Sequence, residues 1–385
     1  MKLILHRSKK WLAMVAILTL SSFLLYGCWD SRELEKRATV AAMAVDKSPQ
    51  GYELSVQVPS PRKTTGGGGG GGGDGGGVGG DGAVEIFSGE GRSFHEAMQQ
   101  IESKVNFPLF IGHMQLLLIS DEVAREGIFP LLDGLRRSLE IRRHLWPVVI
   151  LGKAKDALKV QVPLEEIPIE YLRTLIGSGI DNGRFAWLGM GEVSENLSDP
   201  VRQSPILNAF SVTEKRFIWE GIAILRHDRL IGLVQHPLVT PLLQIRKQMV
   251  GWPMAISCPK KKGRIIFVPR NIVRTIDISE KPQIDVTVKV EGEIAVKECY
   301  SFQMDHPRKY ELINHLLEKE YEKAAKMLVD KAQKDFRTDI FTFGKHIHAY
   351  YPRLFRQIDW MHNHNQIPVR VRYEVEVRRV GLESG

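Results

Sequence analysis

Hydrophobic positions along this chain fall into three patterns, and each predicts a different element. The first is an apolar run at 11–25 that holds no charged residue, behind a basic head of Lys2, Arg7, Lys9 and Lys10. At about 15 residues it is shorter than the roughly 20 that carry a helix across a bilayer, so it reads as a secretion signal. The second pattern has period two. Residues 52–58 read Tyr-Glu-Leu-Ser-Val-Gln-Val, a half-buried strand stopped by Pro59 and Pro61. At the other end of the chain, Val369, Val371, Tyr373, Val375 and Val377 alternate with Arg370, Arg372, Glu374 and Glu376, predicting a strand over 368–380. The third pattern has helical spacing. Ser93-x-x-Glu96 opens a helix through Phe94, Ala97, Met98, Ile101 and Val105 with a capping-box spacing. Residues 310–336 form a long amphipathic helix. Leu312, Leu316, Tyr321, Ala324, Leu328 and Ala332 share one face, and Glu322 and Lys326 pair on the other.

Shorter runs fill the middle. Small apolar residues at 38–45 suit a strand, and 84–87 a second one after the Pro stop. Residues 114–119 and 146–151 are apolar enough for buried strands. A helix at 121–137, interrupted near Gly127 and Pro130, follows the first, and a short helix at 154–160 follows the second. That order argues mixed α/β layers. The stretch 177–205, rich in Gly, Ser, Asn and Pro, reads as a linker or long surface loop. Beyond it, 217–225 and 230–234 make a hairpin around His227-Asp228, and 265–268, 271–278 and 283–290 make further antiparallel strands. The expected fold is therefore α+β or mixed α/β and multi-domain. A signal peptide (1–27) precedes an N-terminal mixed α/β region (28–200, as one body or two lobes). A linker (201–214) leads to a C-terminal α+β domain (215–385), an antiparallel sheet packed against the long helix.

One segment has no pattern. Residues 66–82 are glycine apart from Asp74, Val78 and Asp81. A tract without side chains to bury, and with much backbone entropy to lose, is expected to be disordered. As a flexible coil of about 17 residues its ends average roughly 20–25 Å apart. A phosphate-binding loop is the sharper alternative, but no Lys-Ser/Thr pair or helix start follows at the required spacing.

Composition adds a compartment. The apolar run ends in Leu25-Tyr26-Gly27-Cys28, which reads as a lipobox: a diacylglycerol joins the Cys28 thiol and the preceding peptide is removed. Two acyl chains anchor stably, at about 0.8 kcal/mol per buried methylene. An ordinary cleaved signal and an uncleaved anchor helix are the alternatives. The whole chain carries +8, but the signal removes four bases and no acid, leaving 49 of the 53 bases against 45 acids, or +4. That excess is too weak to indicate nucleic-acid binding, and suits life beside an anionic lipid surface. After Cys28 only Cys258 and Cys299 remain, as one disulfide or as two buried thiols.

Candidate chemistry is sparse. His346-x-His348 and His362-x-His364 are dense histidine pairs, but no carboxylate or cysteine pattern completes a metal site, and they read as surface or partly buried side chains. Glu165-Glu166 reads as loop. No nucleophile motif stands in relation to a histidine. Lys260-Lys261-Lys262 with Arg264 is a solvated turn or a contact for anionic headgroups or an acidic partner. Trp29, Asp30, Arg32, Glu33 and Leu34 follow the anchor so closely that they lie at the membrane surface, where Trp is suited to the interface. They are a docking segment or a plain spacer.

Gly27-Cys28-Trp29-Asp30-Ser31-Arg32-Glu33-Leu34 resembles the GCWDxREL opening of the Ger(x)C family, the lipoprotein C subunits of spore germinant receptors. Further stretches are similar to that family in the same order. Gly112-His113-Met114 leads to Ile119-Ser120 and then to Ala124-Arg125-Glu126-Gly127-Ile128. Glu220-Gly221-Ile222-Ala223-Ile224 leads to Asp228-Arg229-Leu230-Ile231-Gly232. Thr338-Asp339-Ile340-Phe341-Thr342-Phe343-Gly344-Lys345 leads to Tyr350-Tyr351-Pro352 and Trp360. Tyr26 and the glycine tract, where a shorter polar loop is expected, depart from the pattern. The resemblance implies a mixed α/β fold in separate modules and a place on the outer face of the inner spore membrane. It implies two partners, an A subunit with a large soluble part and a permease-like B subunit, in a complex that senses small nutrients and triggers germination. It carries no catalytic residue, metal or cofactor, only the diacylglycerol and palmitate-type acyl chains at Cys28. No nucleic-acid partner is implied, and whether this chain itself holds a small molecule is left open. The rival expectations are a solute-binding lipoprotein of a transporter and an exported hydrolase.

Overall fold

The chain divides into two units, Met1–Ala38 and Thr39–Gly385. The computed structural model describes residues 37–59, 84–137, 141–162, 165, 167–198, 201, 204–246, 249–259, 262–279, 283–299 and 306–380, with Trp11 and Met14 before them. Both large sheets and the helices packed on them belong to the second unit.

β1 (Ala42–Ser48), β2 (Gly51–Pro59) and β3 (Val84–Gly91) form an antiparallel meander. The glycine tract lies outside the described residues. Its flanks, Pro59 and Val84, are cross-strand partners, so 60–83 closes a hairpin. α1 (Phe94–Glu102) starts as its sequence predicts: Ser93 Oγ accepts from the Glu96 N–H (3.3 Å), and the Glu96 carboxylate accepts from the Arg92 N–H (2.8 Å). Then come β4 (Leu116–Ser120), α2 (Asp121–Glu126), α3 (Phe129–Arg136), β5 (Trp146–Leu151), α4 (Ala154–Ala157), α5 (Pro168–Asp181) and α6 (Met190–Ser198). β6 (Ile206–Thr213), β7 (Arg216–Arg226) and β8 (Arg229–Val234) complete an eight-stranded sheet of order β8-β7-β6-β5-β4-β1-β2-β3. β1, β4, β5 and β6 run parallel. Their two faces enter two cores. Met43, Val45, Leu117, Ile119 and Val149 point into one, and Ala42, Ala44, Leu116, Leu118, Val148 and Ile150 into the other. Burial on both sides is why these strands read as continuous apolar runs.

The structure departs from expectation around 177–214. α5 passes straight through Gly177 and Gly179. A Cβ on Gly179 would sit 2.3 Å from the Phe185 ring, so this glycine marks close packing and not a break. β6 occupies most of 201–214, the expected linker, because Ile206, Leu207, Ala209 and Phe210 are buried. The hairpin of β7 and β8, expected in the C-terminal domain, belongs to the first sheet.

After α7 (Val239–Ile245), a second sheet is built from β9 (Met254–Ser257), β10 (Arg264–Ile278) and β11 (Ile284–Lys297), all antiparallel. β10 is one strand where two were expected. It bulges at Pro269, which has no N–H to give the ladder. α8 (Pro307–Lys331, ending in a π turn at Ala332–Phe336) crosses the sheet and carries the chain back. After α9 (Phe343–Tyr350), α10 (Pro352–Ile358) and α11 (Trp360–Asn363), β12 (Val369–Val380) joins β11 in parallel. The apolar stripe of α8 starts one residue later than expected, with Ile313 and Leu317 buried and Leu312 42% exposed. Cys258 and Cys299 form a disulfide (Cα–Cα 5.9 Å), tying the ends of β9 and β11. The core on the Met43 face continues without a break into this second sheet, through Ile265, Val286, Val288 and Tyr321.

Candidate functional site

Cys28, Trp29, Asp30, Arg32, Glu33 and Leu34, the residues singled out for anchoring and docking, lie outside the described residues. The chain can be followed as it enters the sheet. The Val40 N–H donates to the Phe110 carbonyl (3.0 Å), Ala41 donates to Gln57 (2.9 Å), and Gln115 donates back to Ala41 (3.2 Å). Entry is therefore at the end where the parallel strands begin.

Several of the family-like segments are tied to other parts of the chain by hydrogen bonds to backbone groups. Asp228, in the β7–β8 turn, holds the break between α2 and α3. Its carbonyl accepts from the Ile128 N–H (2.9 Å) and its Oδ2 from the Phe129 N–H (3.3 Å). Gly127 (φ 135°) leaves room: a Cβ there would lie 2.6 Å from Asp228 Oδ2. Gly232 lies beneath the Phe336 ring at the end of the π turn. One step on, the hydroxyls of Ser204 and Thr338 are bonded at 2.5 Å. Arg246, past the end of α7, is partly buried and donates to the carbonyls of Ile340 (2.6 Å) and Ser204 (3.5 Å). Burial brings its pKa down to about 10, opposed by the charge of Asp339.

Asp339 is partly buried too. Its carboxylate accepts from the Phe341 (3.1 Å) and Gly344 (2.7 Å) N–H groups, holding the start of α9. Desolvation raises its pKa, opposed by these N–H groups and by His364. Gly344 sits against Trp360 and Val201, where a Cβ would come within 2.3 Å of the indole nitrogen. Arg246 and Asp339 thus form a joint of backbone clamps. Its carboxylate and guanidinium are both occupied by main-chain groups, an arrangement suited to fixing two halves of a molecule. Sequence reasoning singled out Thr338–Asp339 and Asp228 without a role. Arg246 and Ser204 had no signal at all.

A second construction guards the edge of the small sheet. The outward N–H groups of Tyr373, Val375 and Val377 on β12 donate to Glu322 (3.1 Å), Glu318 (3.1 Å) and Asn314 (3.2 Å) of α8. Acceptors four residues apart on a helix match alternate residues of a strand running the other way. Glu322 thus serves the strand edge, where a helical pairing with Lys326 was expected. The large sheet does the same at β3, where Gln100 accepts from the Glu90 N–H (3.0 Å) and Lys104 donates to the Ser88 carbonyl. Unpaired edges recruit other strands, so both devices keep the molecule from adding one. The sheet face away from α8 carries ion pairs instead: Lys289–Glu374 (2.9 Å) and Arg378–Glu291 (2.9 Å) across strands, and Arg378–Glu376 (2.8 Å) along β12.

The histidine pairs separate. His346 packs on Tyr350, His348 on Phe355, His362 bonds Asp359 (3.0 Å), and His364 Nδ1 meets the Trp360 carbonyl (3.1 Å). Among the described residues no group of three or more His, Cys, Asp or Glu is placed to hold a metal. Lys260, Lys261 and Glu166 lie outside the described residues. Lys262 and Arg264 are exposed, and Glu165 is exposed in its loop. A cleft of about 480 Å³ lies between the end of α5, the loop after α7 and the Pro269 bulge. Arg184 borders it, with its guanidinium 5.2 Å above the Trp252 ring.

Comparison with known proteins matches the chain in two adjoining pieces. Residues 30–212 match the family model described as "Spore germination protein N-terminal domain". Residues 220–381 match "Spore germination B3/ GerAC like, C-terminal". The pieces meet near the β6–β7 turn, which the large sheet runs through. Spore germination protein KC of Bacillus subtilis (strain 168) is 27% identical, with 96% of each chain covered. Spore germination protein GerQC of Bacillus cereus is 20% identical over 97% of this chain and 99% of its own length. The crystal structure of the GerBC protein superposes with a TM-score of 0.55 at 16% identity, covering 87% of this chain and 96% of that one.

Proposed function

The chain belongs to the Ger(x)C family of spore germination proteins, and from that premise we propose that it is the lipid-anchored C subunit of a nutrient germinant receptor. The observation that carries this reading is the coverage. Two family models lie side by side over 30–212 and 220–381, and the first begins just after Cys28. Diacylglycerol on Cys28 holds the chain on the outer face of the inner spore membrane. Its partners there are an A subunit and a permease-like B subunit, and Trp29, Asp30, Arg32 and Glu33 contact them at the membrane surface. The role is assembly and not bond chemistry, a reading supported by the way Asp339 and Arg246 are engaged by backbone groups.

The test is Cys28→Ala, followed by membrane fractionation and pull-down from spores. The variant is expected to leave the membrane, lose the permease-like partner and impair germination. Retention on the membrane with partners intact would overturn the anchored-subunit reading. The rival, a solute-binding lipoprotein, rests on the cleft of about 480 Å³ beside Arg184. Recovery of ATPase-linked transport proteins in the same pull-down would bring it forward.

A further inference from the structure

The four parallel strands of the large sheet begin at one end, and three connections there share a character. Residues 103–114 precede β4, 141–145 precede β5, and 182–189 lie beside β6. The last placement follows from Asn208, near the start of β6, which accepts from the Ala186 N–H (3.3 Å) and donates to its carbonyl (2.9 Å). The stretches 103–114, 141–145 and 182–189 hold no Asp or Glu, although Glu140 and Asp181 directly precede the second and third in sequence. Phe107 and Trp187 are exposed in them at 43% and 45%, and Lys104, His113, Arg142 and Arg143 are exposed too. Strands lie about 4.8 Å apart, so from β1 to β6 the patch is roughly 15 Å across. The acids beside it are Glu85, Glu102 and Asp181 at its flanks, Glu195, which lines one cleft with Arg142 and Arg143 and accepts from Lys345 Nζ (2.9 Å), and Glu192, whose carboxylate turns back to the Gly189 N–H (3.0 Å). The opposite end of the sheet differs. There the charges neutralise one another, as in Lys47–Glu126 and Lys155–Glu53, and Asp46 caps α4 through the N–H groups of Ala154 and Lys155.

We propose that this end is a membrane-facing surface that binds anionic phospholipid headgroups, with Phe107 and Trp187 entering the interface. Cationic side chains around exposed aromatic rings are the chemistry an anionic bilayer surface takes. The tether agrees. The chain enters the sheet beside Phe110. About eleven residues separate Cys28 from Thr39, a reach of at most roughly 40 Å when extended. The orientation rests on the anchored reading above, whereas the headgroup affinity does not.

The test uses the chain from Cys28 onward carrying Cys28→Ala, with flotation on phosphatidylglycerol or phosphatidylcholine vesicles. It is expected to bind the anionic vesicles alone and to be released by about 0.5 M salt. Each basic side chain near such a surface is worth about fivefold, so Arg142→Gln with Arg143→Gln should weaken binding roughly 25-fold. Phe107→Ser with Trp187→Ser should weaken it as well, and Lys153→Gln, at the other end, should not. Circular dichroism establishes that each variant is folded. Absence of binding, equal binding to both vesicle types, or binding indifferent to both patch variants overturns the proposal. If vesicles are ignored while the arginine variants lose a protein partner in spores, the surface is a subunit interface and the proposal falls. The mass of native Cys28 tests the anchor separately: a lipidated Cys28 with no vesicle binding by the alanine variant sinks this proposal alone.

Discussion

The two sheets of this molecule solve burial in opposite ways. In the large one, every residue of Leu116–Ser120 is buried and both faces feed a core. In the small one, β12 alternates strictly, with Tyr373, Val375 and Val377 buried under α8 and the residues between them in solvent. The first arrangement makes a rigid frame with no free face, so its interaction chemistry is confined to its ends. The second leaves a broad face held by exposed ion pairs. Yet the Met43 core runs from one sheet into the other, and the joint at Arg246 and Asp339 clamps them. The difference is therefore one of exposure, and the two halves are expected to unfold together.

The strongest way to break that comparison is at the joint. Arg246→Ala deprives the Ile340 and Ser204 carbonyls of their donor and leaves a cavity. Breaking a buried charged cluster costs about 3–5 kcal/mol. Arg246→Met should recover part of this, because it fills space and removes the cost of burying a cation. Urea unfolding of the alanine variant should show one transition at a lower midpoint with the slope unchanged. A two-step curve would mean the sheets are separate stability units, and that the unbroken core couples them only weakly.

A smaller effect is expected at the guarded edge. Glu318→Ala with Glu322→Ala leaves the N–H groups of Val375 and Tyr373 without acceptors. At about 1 kcal/mol for each hydrogen bond, the loss is about 2 kcal/mol. The more telling readout is size-exclusion chromatography, since an opened edge pairs with other strands and association should grow with concentration. Glutamine at both positions keeps an acceptor oxygen and should behave like the parent. If the alanine variant stays monomeric, α8 guards the edge by bulk and not by its carboxylates.

How much of this was legible depends on which sheet is read. The small sheet announces itself, because half-exposed strands alternate and an amphipathic helix repeats. Ser93-x-x-Glu96 likewise needs only local chemistry. The large sheet hides its extent. Ile206–Phe210 is buried on both faces, lacks alternation, and follows a Pro- and Ser-rich stretch, so its surroundings read as linker. Gly177 and Gly179 look like breakers until Phe185 is seen against Gly179. The joint was half legible. Asp228 and Asp339 fall in segments similar to the Ger(x)C family, but Asp228 bonds to residues 99 and 100 positions away, and no local rule links Arg246 to Ile340. The face-rotation error on α8, Leu312 for Ile313, arises because both positions are apolar and only packing against β11 and β12 chooses between them.

The mildest test goes to the open face. Lys289 and Glu374 sit opposite one another on β11 and β12, 2.9 Å apart and each 58% exposed. Water screens such a pair, and holding two long side chains in one geometry costs entropy, so a double-mutant cycle to alanine should return a coupling below about 1 kcal/mol. High salt should remove what coupling there is. That result would fit a face that is solvated in the free chain and contributes little to folding. Substitutions across it would then leave the fold intact, and a change in partner recovery from spores could be assigned to contact and not to collapse. A coupling of several kcal/mol would instead mean that these charges hold the sheet together. The two sheets would then differ in chemistry but not in how much of their stability each face supplies.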